Sequence, residues 1–284
     1  MIDIAIQAAI RAGDAILEIY EQDFEVEFKN DESPLTSADK AAHQIIVQAL
    51  AATGLPVLSE ESAEVLYEDR KDWRAYWLVD PLDGTKEFIK KNGEFTVNIA
   101  LIENGVPVQG IVYVPVQDTL YLGLETGAWK AKECRGKSVE ELMSSAVACQ
   151  VSGVPGVPIR VVASKSHCND ETREFIAALT PKNSEPKLVS RGSSLKLCLV
   201  AEGAADIYPR IAPTMEWDTA AAHAVVKAAG GEVFYFDPDY PPLDYSAGNK
   251  SLRVLIYNKE NLLNPSFVVS GLSACVSTTV REQL

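Results

Sequence analysis

Histidine is scarce in this chain, with three residues in 284, and none of them is clustered. The five cysteines, at 134, 149, 168, 198 and 275, are scattered and odd in number, and no CxxC pair occurs. A zinc site needs grouped Cys or His ligands, and a disulfide framework needs paired spacings; neither pattern is present. Reduced thiols packed as small apolar side chains are the reading that remains. Positive charge is also in short supply. There are 26 Lys and Arg against 40 Asp and Glu, giving a formal net charge of −14. Binding a nucleic-acid polymer depends on neutralising many phosphates with Lys and Arg, so this balance argues against that function. A small phosphorylated ligand stays admissible, because bound cations invert a local field. No apolar run approaches the ~20 residues of a membrane-spanning helix, so no integral membrane segment is expected. Met1-Ile2-Asp3 lacks the basic opening of a signal peptide and leads into an amphipathic pattern, and a cytoplasmic protein is the expectation.

What the chain does have is acid placed where apolar runs stop. Ala75 to Val79 is short, aromatic and β-branched, and it ends in Asp80-Pro81-Leu82-Asp83-Gly84-Thr85. The run reads as a buried strand with Asp80 at its last position. Pro81 has no N–H to give a ladder, so the chain is expected to leave the sheet there and throw Asp83 onto a turn beside Asp80. Gly84 allows close approach of the backbone to a ligand, and Thr85 to Lys91 can start a helix whose free N–H groups favour an anion. Paired carboxylates beside such a helix start suggest divalent cations bridging to a phosphate. Leu58-Ser59-Glu60-Glu61 and Trp217-Asp218-Thr219 place further acids at the end of an apolar segment and the start of an alanine-rich helix. Four carboxylates converging in one pocket would repel one another unless cations neutralise them. All-oxygen ligation selects hard ions such as Mg²⁺ or Mn²⁺.

With 47% hydrophobic residues, the chain can build one large domain or two lobes. Helical periodicity is expected over 3–22 and from Ser37, and strands near 75–80, 95–102, 108–116 and 119–124. The Gly-Val-Pro-Gly-Val-Pro run before Ile159 marks a loop, and the boundary is placed so that 1–145 forms an N-terminal α+β lobe and 146–284 a C-terminal α/β lobe. In the second half, Ile159 to Ala163 reads as a strand, and Asn169-Asp170 caps a helix. Ser193 or Ser194 caps another helix, Asp206 to Pro209 and Gly231 to Phe236 are strands, and Arg253 to Tyr257 is the last strand. Pro265 to Leu284 carries no motif; Val268 to Val276 is apolar enough to pack or to serve contacts in a homodimer. The alternation of helices and strands implies a layered α/β architecture with the site between lobes.

The acid motifs together resemble the inositol-monophosphatase superfamily of phosphatases. The finer spelling resembles its bacterial 3'(2'),5'-bisphosphate nucleotidase branch. It rests on Asp-Gly-Thr-Lys-Glu-Phe (83–88), Ser164-Lys165-Ser166-His167, Gly192-Ser193-Ser194-Leu195-Lys196, and the run from Ala201 to Arg210. The resemblance covers about Ile2 to Tyr257. It implies the five-layer αβαβα sugar-phosphatase sandwich. It also implies that Glu60, Asp80 and the Leu82 carbonyl hold one Mg²⁺, while Asp80, Asp83 and Asp218 hold a second about 3.5–4 Å away. Thr85 and Glu60 would orient the attacking water, and the Gly84 and Thr85 N–H groups would cradle the phosphate. Asp39 sits in Thr36-Ser37-Ala38-Asp39, which has the form of a capping box; the resemblance offers it as a contributor to a third ion instead.

A nucleotide bisphosphate carries one phosphate to be cut and one to be held, and the held one needs cationic groups. Lys196 and Arg210 are the candidates, with Lys86, Ser193 and His167 as further substrate contacts. The resemblance implies Mg²⁺-dependent removal of the 3'-phosphate of adenosine 3',5'-bisphosphate, with phosphoadenylyl sulfate as a second substrate, in sulfur metabolism. It further implies inhibition by Li⁺ and admits peripheral association with the inner face of the membrane. An inositol monophosphatase or sugar bisphosphatase on the same acids is the alternative.

Overall fold

The computed structural model describes residues 1–22, 26–28, 34–62, 65–163, 169–179 and 185–273. A seven-stranded sheet runs in the order Val57–Ser59, Ala75–Asp83, Thr96–Glu103, Val106–Val114, Thr119–Leu124, Gly127–Lys132, Val147–Cys149. Only its first pair is parallel. A five-stranded sheet has the order Lys187–Val189, Arg160–Val162, Ile207–Arg210, Phe267–Ser270, Glu232–Tyr235.

Period-two alternation sorts the first sheet's side chains into two cores. Trp77, Val79, Ile99 and Tyr113 face outward and are covered by helices Ile2–Tyr20 and Ser37–Leu50, whose buried stripes include Ile6, Ile10, Ile16, Ala42 and Ile46. Tyr76, Leu78, Ala100 and Val112 face the other way. They meet helices Leu195–Ala201 and Glu216–Ala228, which also pack on Tyr208, Val233 and Val269 of the second sheet. The second sheet's far face, including Val161, Ile207 and Val268, is covered by Phe175 and Ile176 of helix Asp170–Ala178. The result is five layers in the order αβαβα, as the resemblance implied.

The middle helix Glu216–Ala228 is seated unusually close to the first sheet. Gly110 and Gly123 are cross-strand partners beneath it. A Cβ on Gly110 would lie 2.0 Å from the Ala221 carbonyl oxygen, and one on Gly123 would lie 2.5 Å from the Ala224 carbonyl. The run Ala220, Ala221, Ala222 and Ala224 supplies the matching small face. Glycine below and alanine above bring backbone to backbone, and this fixes the depth of Asp218.

Several elements differ from the sequence expectation. The chain does not leave the sheet at Pro81; the strand continues to Asp83 through a β-bulge, with Asp80 opposite Asn98 and Asp83 opposite Thr96. A bulge accommodates the missing proline N–H without ending the ladder. The helix after Gly84 stops at Ile89 rather than Lys91. Arg253 to Tyr257 makes only an isolated bridge at Val254. The strand that completes the second sheet is Phe267–Ser270, antiparallel to both Ile207–Arg210 and Glu232–Tyr235. Val147–Cys149 is the edge strand of the first sheet, paired with Gly127–Lys132.

Candidate metal and phosphate site

The bulge decides where the two aspartates point. On an unbroken strand, residues three apart face opposite sides. Asp80 follows Tyr76 and Leu78 toward the middle layer. Leu82, of the same parity, instead packs into the outer core with Trp77 and Val79. The extra residue at the bulge has therefore flipped the phase, so Asp83 joins Asp80 on the middle-layer side. Glu60 arrives by register. Ser59 pairs with Val79, and the Glu60 N–H donates to the Val79 carbonyl at 3.1 Å, which sets Glu60 beside Asp80. Asp218 comes from across the layer, in the first turn of helix Glu216–Ala228. It is the third helical residue rather than the cap itself, and its Oδ2 accepts the Met215 N–H at 2.8 Å.

Glu60, Asp80 and Asp218 each offer a ligand atom, and these atoms lie within 4.8 Å of one another. Asp80 is 1% exposed. Burial pushes its carboxyl well above the usual range, and the neighbouring charges of Glu60, Asp83, Asp218 and Asp39 push it further. Asp218 is raised for the same first reason, then by Asp83; the Met215 N–H and Arg210 oppose the rise. Such a group of acids matches the donor chemistry of a hard divalent ion.

Asp83 shows a division of labour between its oxygens. Oδ2 accepts from Ser193 Oγ at 2.5 Å, from the Ser194 N–H at 2.7 Å and from Ser194 Oγ at 2.9 Å. No hydrogen bond to Oδ1 occurs among the described residues, and Asp83 is not one of the three acids whose ligand atoms gather within 4.8 Å. Ser193 holds a left-handed backbone, φ 51°, and its hydroxyl also meets Thr96 Oγ1 at 2.7 Å. Asp39 does form the capping box: its Oδ2 accepts the Thr36 N–H at 2.8 Å and the Thr36 hydroxyl at 2.6 Å. Its Oδ1 lies 3.4 Å from Thr85 Oγ1, which is equally far from the Leu82 carbonyl.

Beside these acids opens a cavity of about 440 Å³. Its lining brings together Asp83, Gly84, Lys86, Ser193, Lys196, Arg210 and Asp218. Gly84 has φ 93° and caps helix Thr85–Ile89. Burial lowers the Lys196 ammonium, with Asp83 raising it and Arg210 lowering it further. Arg210 keeps Nε buried without a hydrogen-bond partner among the described residues. His167 lies outside the described residues. Tyr208 and Ser194, which lie inside the quoted motifs but carry no site role in the sequence reading, also line the cavity, as do Thr214 and Phe267. Phe267 and Asn98, which donates to Ser194, were missed by sequence reasoning. None of them belongs to an acid motif. Burial pushes the Tyr208 phenol up to about 12. His223 is structural, its ring between Tyr257 Oη at 2.9 Å and Glu232 at 2.7 Å.

Comparison with known proteins places the chain in a family. The model of the inositol monophosphatase family matches residues 1–265. The chain is 46% identical over 274 residues to the 3'(2'),5'-bisphosphate nucleotidase CysQ of Escherichia coli K12, covering 95% of this chain and 99% of that one. It is 33% identical to the CysQ nucleotidase of Haemophilus influenzae, covering 93% and 90%. Among solved structures, CysQ from Bacteroides thetaiotaomicron, a bacterial member of the inositol monophosphatase family, superposes with a TM-score of 0.78 at 48% identity, covering 94% of this chain and 95% of that one. SuhB from Bartonella henselae, at 24% identity and a TM-score of 0.68, shares the fold. A family match across nearly the whole chain leads to one conclusion: this chain belongs to the inositol monophosphatase family.

Proposed function

We propose that the protein is a Mg²⁺-dependent phosphomonoesterase that removes the 3'-phosphate of adenosine 3',5'-bisphosphate, giving AMP and phosphate, and that it accepts phosphoadenylyl sulfate as a second substrate. The observation that carries this reading is the juxtaposition of Glu60, Asp80 and Asp218 with a cavity whose walls hold Lys86, Lys196 and Arg210. Family membership and the curated nucleotidase relatives support it.

The residues divide the work by their chemistry. Glu60, Asp80, Asp83 Oδ1, Asp218 and the Leu82 carbonyl would hold Mg²⁺, with Mn²⁺ as a substitute and a third, weaker ion near Asp39. When bound, such cations neutralise phosphate charge and activate water. Thr85 offers its single hydroxyl proton to Asp39 or to the Leu82 carbonyl, so its lone pairs are free to accept a hydrogen bond from the attacking water and orient it. Glu60, partly exposed at the strand end, serves as the second acceptor. The N–H groups of Gly84 and Thr85 hold the phosphate being cut. Lys196 and Arg210 hold the other phosphate, and Lys86 and His167 complete the substrate contacts. Li⁺ inhibits by competing for a magnesium position. The enzyme works in sulfur metabolism in the cytoplasm. No described helix is long and apolar enough to cross a membrane.

Phosphate release with Mg²⁺ from adenosine 3',5'-bisphosphate, inositol 1-phosphate and fructose 1,6-bisphosphate tests the reading. The nucleotide is expected to be preferred, with activity lost on chelation. Preference for inositol or sugar phosphate would replace the substrate assignment and keep the acid site.

A further inference from the structure

Asn98 stands opposite Asp80 on the neighbouring strand and is 1% exposed. Its parity is that of Ala100 and Ile102, so the side chain faces the middle layer, toward the start of helix Leu195–Ala201. Its Nδ2 donates to Ser194 Oγ at 2.9 Å. Ser194 Oγ in turn lies 2.9 Å from Asp83 Oδ2 and 2.7 Å from the backbone carbonyl of Asp218. A hydroxyl carries one proton and two lone pairs. The Asn98 N–H occupies a lone pair and so turns the Ser194 proton toward those two acceptors. Both belong to residues assigned to the cation site.

The other end of the amide strengthens the point. Asn98 Oδ1 is buried and has no hydrogen-bond partner among the described residues. Rotating the amide would let that oxygen accept the Ser194 proton, but Asp83 and Asp218 would then lose it. A buried polar atom left unpaired calls for an explanation. Here, satisfying one neighbour correctly outweighs satisfying Asn98 itself.

We propose that Asn98 is a positioning residue for the cation site. Through Ser194 it fixes the Asp83 carboxylate and ties it to the first turn of the helix that carries Asp218, so that both acids are oriented before a cation arrives. Lys196 follows two residues after Ser194, and its Nζ donates to the Ser193 carbonyl at 3.3 Å. The same brace therefore links the phosphate-holding wall to the acids. This inference rests on reading Asp83 and Asp218 as cation ligands.

Calorimetric titration with Mg²⁺ alone tests it, on the wild type, Asn98→Ala, Ser194→Ala, the double variant and Asp83→Asn. Groups that orient metal ligands are worth roughly ten- to hundredfold in affinity. Each single variant is expected to bind Mg²⁺ weaker by that amount. The double variant is expected to bind no worse than the weaker single, because both changes break one chain. Asn98→Ser, which keeps a hydroxyl donor, is expected to recover part of the loss, and it replaces Asn98→Ala if thermal melting in EDTA shows that variant unfolded. Wild-type affinity in a folded Asn98→Ala, or additive losses in the double variant, would overturn the proposal. Undiminished binding by Asp83→Asn would overturn the ligand reading beneath it instead.

Discussion

A Cβ on Gly110 would lie 2.0 Å from the carbonyl oxygen of Ala221, so the sheet and the helix that carries Asp218 touch through bare backbone. Gly110→Ala must push that helix off the sheet. Overpacking of this kind costs about 1–3 kcal/mol. Because Asp218 rides on the same helix, activity is expected to fall along with the melting temperature. Gly54→Ala is the comparison: its Cβ meets nothing within 4 Å, although its φ of 73° carries a local strain. Thermal melts and turnover of the two variants check this, and loss of activity in Gly110→Ala alone is the expected pattern.

The raised carboxyls of Asp80 and Asp218 give a pH signature that depends on cations. A carboxyl whose folded pKa lies above its unfolded value of 3.8 binds more protons folded than unfolded. Its contribution to stability is full below that unfolded value and is lost as pH rises through the folded one. In EDTA, these two groups should make the protein progressively less stable from about pH 4 toward neutrality. A bound divalent cation compensates the buried charge and relieves the repulsion among the acids, so the rise in melting temperature on adding Mg²⁺ should grow with pH. A Mg²⁺ effect that stays constant across that range would contradict the cause assigned to the shift.

Lys196 and Arg210 are assigned to the phosphate that is held rather than cut. A hydrogen bond to a charged group contributes about 1.5–3 kcal/mol, or roughly ten- to hundredfold. Lys196→Ala and Arg210→Ala should each raise KM for a 3',5'-bisphosphate by that factor. They should change kcat/KM for a 3'-monophosphate far less. Equal losses on both substrates would assign the two cations to the reacting phosphate instead.

The motif from Ala201 to Arg210 has a structural centre as well. Asp206, fully buried, pairs with Arg160 Nη2 at 2.5 Å and accepts the backbone N–H groups of Gly156 at 3.0 Å and Arg160 at 2.8 Å. Removing one partner of a buried pair costs about 3–5 kcal/mol. Asp206→Ala should lower chemical-denaturation stability by that order. Because Arg160 stays partly exposed, the lower end is expected.

The acids were legible in the sequence because each stands where an apolar run meets a turn or helix start, and strand-end geometry follows from local chemistry. Asp80, Glu60 and Asp218 need only that rule. Asp83 needed more: Pro81 signalled a break in the ladder, but whether the chain exits or bulges is settled by the neighbouring strand, and only the bulge puts Asp83 on the same face as Asp80. Asn98 was invisible inside the apolar run Thr96–Glu103, since its partner Ser194 lies 96 residues away. Arg253–Tyr257 and Phe267–Ser270 have similar β-forming composition. The choice between them is made by pairing with Ile207–Arg210, a non-local contact that no window of sequence contains.

The most direct test of the central claim is the identity of the product. Adenosine 3',5'-bisphosphate incubated with the protein and Mg²⁺, and followed by phosphorus NMR, should yield inorganic phosphate and 5'-AMP in equal amounts, with neither formed in EDTA. Appearance of 3'-AMP, or an intact bisphosphate under conditions in which inositol 1-phosphate is hydrolysed, would contradict the account.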